Sequence, residues 1–542
     1  MRLSAAFCAL GLLSAAAPGC SRRETAVERG DRDQVLHRGL GYEVATLDPQ
    51  LAAGIAEQDV DSALFEGLVS EDPRDLHPVP GVAEGWEASP DGLTYTFRLR
   101  RNARWSDGTP VTSGDFVGAW RRMLTPSLGA ENAEMLFVLR GARNFNRAST
   151  TDFRDVGATS IDDLTLRITL EHPMPGFLPL LAHPAWFPLP LRALQANGPL
   201  YERGNAWAEP GHLVGNGPFV LQSWVPDREI VVGRSPTYWD AGSVRLRGIH
   251  FHPIDSVDAE ERAFRSGQLH ITDAVPSDRI EAYRRAATGV LRIDPYLGTY
   301  FLRLNVRRPP LDDPRIRRAL SLAVDRRAIV GRILHGVETA SAAFTPPGMG
   351  GYVPPPGPGM DAGEARRLLA AAGHPAGAGL PPLELLYNNS ENHRAIAEAV
   401  QEMWRRELGV DVRLVNREQK VVLEDRRAGD YQIVRSSWIA DYAGPGSFLD
   451  IWRSGDGNNQ TGWRDEGYDS LVSQAERSRD ADVRNALFGR AEERLLDGAP
   501  IIALFHYRHV FLIGPSVRGW YPTLLDHHPY KFVWLDGAAA PR

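Results

Sequence analysis

Two rhythms of apolar residues run along this chain, and together they limit what it can fold into. Over residues 93–99, Leu93, Tyr95, Phe97 and Leu99 alternate strictly with Thr94, Thr96 and Arg98, the pattern of a half-buried strand. Leu164, Leu166, Ile168 and Leu170 repeat it. Between them, Ser106-Asp107-Gly108-Thr109-Pro110 is dense in turn formers, and Thr112 with Asp115 can cap a helix that sets Phe116 and Trp120 one turn apart. This stretch is therefore α+β in character. Further on the order becomes strand, helix, strand. Residues 383–387 form an apolar run, and Ser390 can cap a helix presenting Ile396, Ala399, Val400, Met403 and Trp404 on one face. Gly409 ends that helix, after which Val410, Val412 and Leu414 alternate. That is one right-handed βαβ unit. Pro314, after Asp312 and Asp313, opens another helix with Ile316, Leu320, Ala323 and Val324 inward. Glycine- and proline-rich residues 346–359 read as a loop, and no tandem repeat is visible.

The N-terminus reads as an export signal over residues 1–19. Arg2 supplies a positive start, residues 3–17 are apolar apart from Ser4 and Ser14, and Ala17-Pro18-Gly19 places small residues before Cys20. The run is too short to span a bilayer permanently. A cut ending at Cys20 resembles the bacterial lipobox, in which the thiol is acylated and becomes the new N-terminus, although Ala17 stands where leucine is usual. The alternative is an ordinary signal cut elsewhere. Polar residues 20–38 are expected to form a flexible tether, with the fold starting near Gly39.

What remains is long enough for two or three domains with real cores. Cys8 and Cys20 are the only cysteines. Neither is left for a disulfide, so stability must come from packing. A formal net charge of −7 and a pI near 6.1 give no basic footprint for nucleic acid. The most apolar later stretch, residues 175–191, is broken by Pro175, Pro179, Pro184, Pro188 and Pro190, so a continuous spanning helix is not expected there. The chain is expected to be anchored at most, not embedded.

Signatures of catalysis are missing. There is no GxSxG elbow, HExxH, GxxxxGK[ST] or glycine-rich fingerprint after a strand. His250 and His252, at i and i+2, would share one face of a strand as two metal ligands must. No cysteine or third ligand lies nearby in sequence, so no metal site is expected. His527-His528 reads as part of a surface loop.

Several short blocks follow one another along the chain: Leu47-Asp48-Pro49, Leu64-Phe65-Glu66-Gly67-Leu68, Pro80-Gly81-Val82-Ala83-Glu84-Gly85-Trp86 and Trp105-Ser106-Asp107-Gly108-Thr109-Pro110-Val111-Thr112. They continue with Asn216-Gly217-Pro218-Phe219, Tyr238-Trp239-Asp240, residues 318–326 (RALSLAVDR) and Ser437-Trp438-Ile439-Ala440-Asp441-Tyr442. Each alone is weak. In this order, across nearly the whole chain, they resemble the extracytoplasmic peptide-binding proteins of ABC importers, the family of the oligopeptide, dipeptide, murein-peptide and nickel receptors. The resemblance implies an α/β, periplasmic-binding-protein-like (Venus flytrap) two-lobe fold with an additional inserted α+β domain. Lobe I would comprise residues 39–64, 190–294 and 508–542, the inserted domain 65–189, and lobe II 295–507.

A receptor for varied peptides must recognise what all peptides share: backbone amides, a terminal ammonium and a terminal carboxylate. Residues 435–441 resemble the family strand whose edge pairs with an extended ligand, here through the backbone of Ser437 and Ile439. Asp441 matches the aspartate that takes the ammonium; a turn or cap role beside Tyr442 is the alternative. For the carboxylate the matching positions are Arg435, Arg426, Arg308 in place of a lysine, and His393. Arg426 could instead be solvated surface, Arg308 could cap a turn, and His393 lies in a first helical turn. Trp438 is a pocket wall on this reading and a core residue on the other. Gly54 is counted with the ligand-binding positions. Ala53 stands for a family glutamate, Gln419 for a tryptophan, and a tyrosine expected near Ala133 to Leu136 is absent. A preference for lysine-rich ligands is therefore not expected, and a different length or a modified peptide becomes open.

The resemblance thus implies a monomeric, lipid-anchored binding protein of the periplasm or cell surface. It would capture short peptides, pass them to ABC transporter permease subunits, and need neither a cofactor nor catalysis. The rival readings are a binding protein for a metal chelate, haem or murein-derived peptide, and a peptidase using Asp441 and His393, for which no nucleophile or metal is in sight.

Overall fold

A computed structural model describes residues 24–52, 54–174 and 176–537. The expected signal peptide, Cys20, Ala53 and Pro175 lie outside the described residues. Three main sheets organise the rest. The first has four strands in the spatial order Val35–Gly39, Gly248–His252, Glu229–Arg234, Phe219–Val225, and its first pair is parallel. The second is antiparallel, in the order Ala83–Ala88, Thr94–Leu99, Thr165–Thr169, Ala158–Asp162. The third has six strands: Thr339–Ala340, Ile501–Leu512, Leu291–Leu304, Ile433–Ile439, Leu383–Asn388 and Val412–Arg417.

The periodic segments form the elements their patterns predict. Thr94–Leu99 pairs with Thr165–Thr169, with Phe97 opposite Leu166, and both residues are buried. Thr112 and Asp115 make a reciprocal capping box on helix Ser113–Leu124, which buries Phe116 and Trp120 completely. Strands Leu383–Asn388 and Val412–Arg417 are parallel and joined by helix Glu391–Leu408. Gly409 closes that helix at φ 66°, a left-handed conformation that glycine adopts without strain.

The tether expectation needs correction. Thr25 caps helix Ala26–Asp33 in a capping box with Glu28, and Val35–Gly39 is a sheet strand with Leu36 buried. The residues are polar because the short helix shows charge to solvent, and Arg38, although buried, is neutralised by Asp59 at 2.5 Å. Composition missed the strand because its backbone is satisfied by Gly248–His252, more than two hundred positions away.

The first two sheets share one core that includes Leu36, Val60, Phe65, Phe97, Trp120, Trp186 and Phe251. The six-stranded sheet is covered on both faces, because neighbouring residues of a strand point to opposite sides. Leu302 joins a core with Leu385, Trp404 and Ile433, while Phe301 packs with Phe344, Phe448 and Trp452 on the other. Strands Leu291–Leu304 and Ile501–Leu512 link the two regions. They pair at 291–295 with 508–512 and again at 299–303 with 501–506, with a register break between Pro295 and Thr299.

The short sequence blocks interlock through buried polar groups. Asp48 accepts hydrogen bonds from Arg122 Nη1 and Nη2 at 3.1 and 2.7 Å, from Trp207 Nε1 at 3.0 Å and from the Gln50 N–H at 3.1 Å. Glu66 accepts from the Tyr238 hydroxyl at 2.6 Å, Trp239 Nε1 at 2.5 Å and Lys531 Nζ at 3.1 Å. The Asn216 side chain bonds both the N–H and the carbonyl of Glu66. Gly217, beside it, is needed for close approach, since a Cβ there would come within 2.5 Å of the Leu64 carbonyl carbon and of the Phe65 nitrogen. Gly217→Ala therefore forces backbone apart and is expected to cost about 1–3 kcal/mol. A drop in Tm of under about a degree by calorimetry would contradict this.

Candidate functional site

A cavity of about 330 Å³ lies where remote segments meet: helix Ile55–Leu64 and the chain following it to Glu71, residues 182–187, the strand end at Ile439 to Asp441, and residues 525–531. Asp441 reaches this cavity because the chain around it is tied down. Its N–H donates to Ser447 Oγ at 2.8 Å, and the Ser447 carbonyl accepts from the Trp438 indole N–H at 2.7 Å. The Asp441 side chain is exposed, but onto the cavity wall, with protein packed around it. Burial pushes its carboxyl up to about 6, and no salt bridge to it occurs among the described residues. An ionised carboxylate held in this way keeps only part of its hydration and, among the described residues, gains no counter-ion.

The other charges of the cavity are matched. Burial lifts Asp59 to about 6 despite its pairing with Arg38. His527 Nδ1 lies 3.0 Å from Glu71; burial opposes its charge, but Glu71 outweighs this and raises its pKa. His528 stacks on Trp520 with centroids 3.8 Å apart and meets Asp526 at 2.9 Å. The expectation of a surface loop at His527-His528 is thus overturned, since both residues line the cavity. The reason is tertiary: residues 525–531 lie against the segment at Glu66 to Glu71, anchored by Lys531 and His527.

The expected peptide-edge strand has a free side. Ile433–Ile439 pairs along its full length with residues 298–304, but on the other side only Ile433 and Val434 pair with Leu385 and Leu386. The backbone of residues 435–439, including Ser437 and Ile439, is therefore an open sheet edge among the described residues. Arg435 projects beside this edge. Its guanidinium lies 4.8 Å from the Tyr300 ring centroid and donates to the Tyr507 hydroxyl at 3.1 Å and to Asn388 Oδ1 at 3.4 Å. His393 joins it, with Nδ1 3.4 Å from the Tyr300 hydroxyl. Burial first, and then Arg435, pushes His393 down to about 3, so at neutral pH it offers a hydrogen bond and not a charge.

The remaining expected positions are dispersed. Arg426 donates to Ser436 Oγ at 3.3 Å, on the residue whose side chain points away from that of Arg435. Arg308 is paired with Asp430 at 2.8 Å in an exposed bridge. Gln419 is an exposed residue at the start of helix Gln419–Ala428. Trp438 packs against the core of Phe344 and Trp452. Gly54 caps helix Ile55–Leu64, where a Cβ would meet Tyr42 Oη at 2.4 Å. Of the expected set, only Asp441 and Ile439 line the cavity; Arg435 and His393 form a second cluster. Sequence reading missed Asp59, Glu71, His183 and Tyr296, which carry no motif and meet only in space.

Known proteins resemble this chain in sequence and in overall structure. The oligopeptide-binding protein OppA of Escherichia coli is 35% identical over 503 residues, 90% of each chain. A structure of the E. coli murein tripeptide binding protein MppA superposes with a TM-score of 0.82 at 34% identity, covering 92% of this chain and 98% of that one. Its unliganded open form gives 0.74 at 34% identity, covering 93% and 97%. Haemophilus influenzae OppA in complex with RPPGFSPFR gives 0.81 at 30% identity, covering 93% and 99%. No helix among the described residues is long and apolar enough to cross a membrane. The family described as bacterial extracellular solute-binding proteins, family 5 (middle), matches residues 77–460, and the chain belongs to that family.

Proposed function

We propose that this protein captures short peptides and delivers them to an ABC importer, seating the peptide ammonium against Asp441 and its extended backbone along the edge at residues 435–439. The observation that carries this reading is the Asp441 carboxylate, which faces the cavity with no counter-ion among the described residues and is pushed up to about 6 by burial. A ligand cation supplies the missing partner. Strand addition to the open edge gives backbone recognition that ignores sequence, while pockets read alternate side chains. Arg435 is the cation placed for the carboxylate end. The names of OppA and MppA give peptides as the ligand class, and a murein-derived peptide falls within it.

On this reading the lobes hinge where strands Leu291–Leu304 and Ile501–Leu512 break register, and the inserted domain spans residues 65–189. The better superposition on one MppA structure than on its open form supports lobes drawn together here. Cys20 carries the lipid that holds a monomeric chain to the membrane, and no catalytic step is assigned.

Calorimetric titration with a tripeptide tests the proposal. Asp441 must be ionised in the complex, so affinity is full above about pH 6 and falls about tenfold per pH unit below it. It falls again above about pH 8, as the peptide α-amino group loses its proton. The N-acetylated peptide is expected to bind at least about a hundredfold more weakly. Equal affinity for free and acetylated peptide would refute ammonium recognition, and cleavage products in the mass spectrum would favour a peptidase.

A further inference from the structure

His250 and His252 lack a third ligand in sequence, but the fold supplies one. Strand Val35–Gly39 lies parallel to Gly248–His252 with His37 directly opposite His250. The side chains of His37, His250 and His252 share one face of the sheet. His37 Nδ1 lies 3.1 Å from His252 Nε2. One nitrogen from each of the three rings falls within 4.8 Å of the others, where a tetrahedral ion with bonds of about 2.1 Å needs ligand atoms roughly 3.4 Å apart. Small ring rotations close that difference.

From this geometry we infer that His37, His250 and His252 form a binding site for a borderline divalent metal ion, Zn²⁺ in the first place. Three imidazoles without thiolate or a carboxylate ligand select zinc, copper or nickel over calcium and magnesium. All three rings are half-buried, so a water can complete the tetrahedron.

The surroundings hold the rings in place. His250 Nδ1 faces Glu229 Oε2 at 3.1 Å, the carboxylate contact that orients a metal-binding imidazole and leaves Nε2 for the ion. The His37 backbone N–H donates to His270 Nδ1 at 2.9 Å, and His270 Nε2 faces Asp31 at 3.3 Å, so His270 supports the site and is not a ligand. Arg29 stands close enough to His37 to oppose positive charge, while Glu229 favours it at His252. None of the three ligands lines the cavity of Asp441. A bound ion would staple the N-terminal strand to its neighbour.

The test uses tag-free protein stripped with chelator and titrated with Zn²⁺ by calorimetry. One equivalent is expected to bind at about 10 μM metal or below. His37→Ala and His250→Gln are each expected to weaken binding about a hundredfold, and Glu229→Gln about tenfold. His77→Ala, in the exposed group of Asp72, Asp75 and His77, should change nothing. His250→Gln on a half-exposed strand position keeps the test valid if His37→Ala folds poorly. No binding in this range, or an affinity in His250→Gln within threefold of the unaltered protein, overturns the site. Peptide affinity is expected to stay within threefold with and without Zn²⁺, so failure here is distinguishable from failure of peptide capture.

Discussion

Replacing Asp441 by alanine is expected to weaken tripeptide binding by about 3–5 kcal/mol, roughly two to three and a half powers of ten in Kd. The size follows from the site. The carboxylate stands on the wall of the cavity, next to the open strand edge, and among the described residues no salt bridge to it occurs. Without it the peptide ammonium would be left unpaired once the bound ligand displaces water from around it. Calorimetric affinity within threefold of the unaltered protein would remove Asp441 from recognition. Asp441→Asn separates charge from shape. It should lose binding to a similar extent yet make the ligand-free protein more stable, because the ionised acid is disfavoured by folding. The sign is clear: the folded carboxyl titrates near 6, above its unfolded value, so its cost is absent below about pH 4 and complete above about pH 6. Fully buried, such a carboxylate would cost about 3 kcal/mol. Solvent in the cavity screens it, so about 1 kcal/mol at pH 8 is expected. Equal stability of the Asp441→Asn variant and the unaltered protein at about pH 4, with divergence by about pH 7, is the signature to look for in denaturant titrations.

The second large effect is structural. Asp48→Ala is expected to destabilise the fold by about 3–5 kcal/mol. Both carboxylate oxygens serve fully buried partners: Arg122 through two nitrogens, and the Trp207 indole N–H. Removing them leaves Arg122 with only Gln50 Oε1 and the Leu200 carbonyl as acceptors and its charge unmatched. A shift of under about 1 kcal/mol in urea denaturation would show that Gln50 and water suffice. Peptide affinity at low temperature should change little, because neither Asp48 nor Arg122 lines the cavity.

These two sites illustrate how unevenly the molecule could be read in advance. Strands around Phe97 and Leu166, the capped helix after Thr112 and the unit from Leu383 to Val412 were legible because each buries one face through local periodicity and ends on local cap chemistry. Asp441 was legible only through its flanking block, since a lone aspartate has no pattern. The strand of Leu36, the cavity lining at His527 and His528, and the meeting of His37 with His250 were not legible. All three depend on pairings between residues more than two hundred positions apart, and composition carries no trace of such partners.

By itself, the order of residues determined where helices and strands start and stop, the family to which the chain belongs, and an acid at the end of a strand. Those properties are written in spacing and caps, which act over a few residues. The tertiary structure alone decided that this acid faces a cavity with no counter-ion among the described residues, that no described strand covers the edge beside Arg435, and which histidines meet. Desolvation and ligand geometry are properties of distance in space, and folding sets those distances through contacts that no local stretch contains.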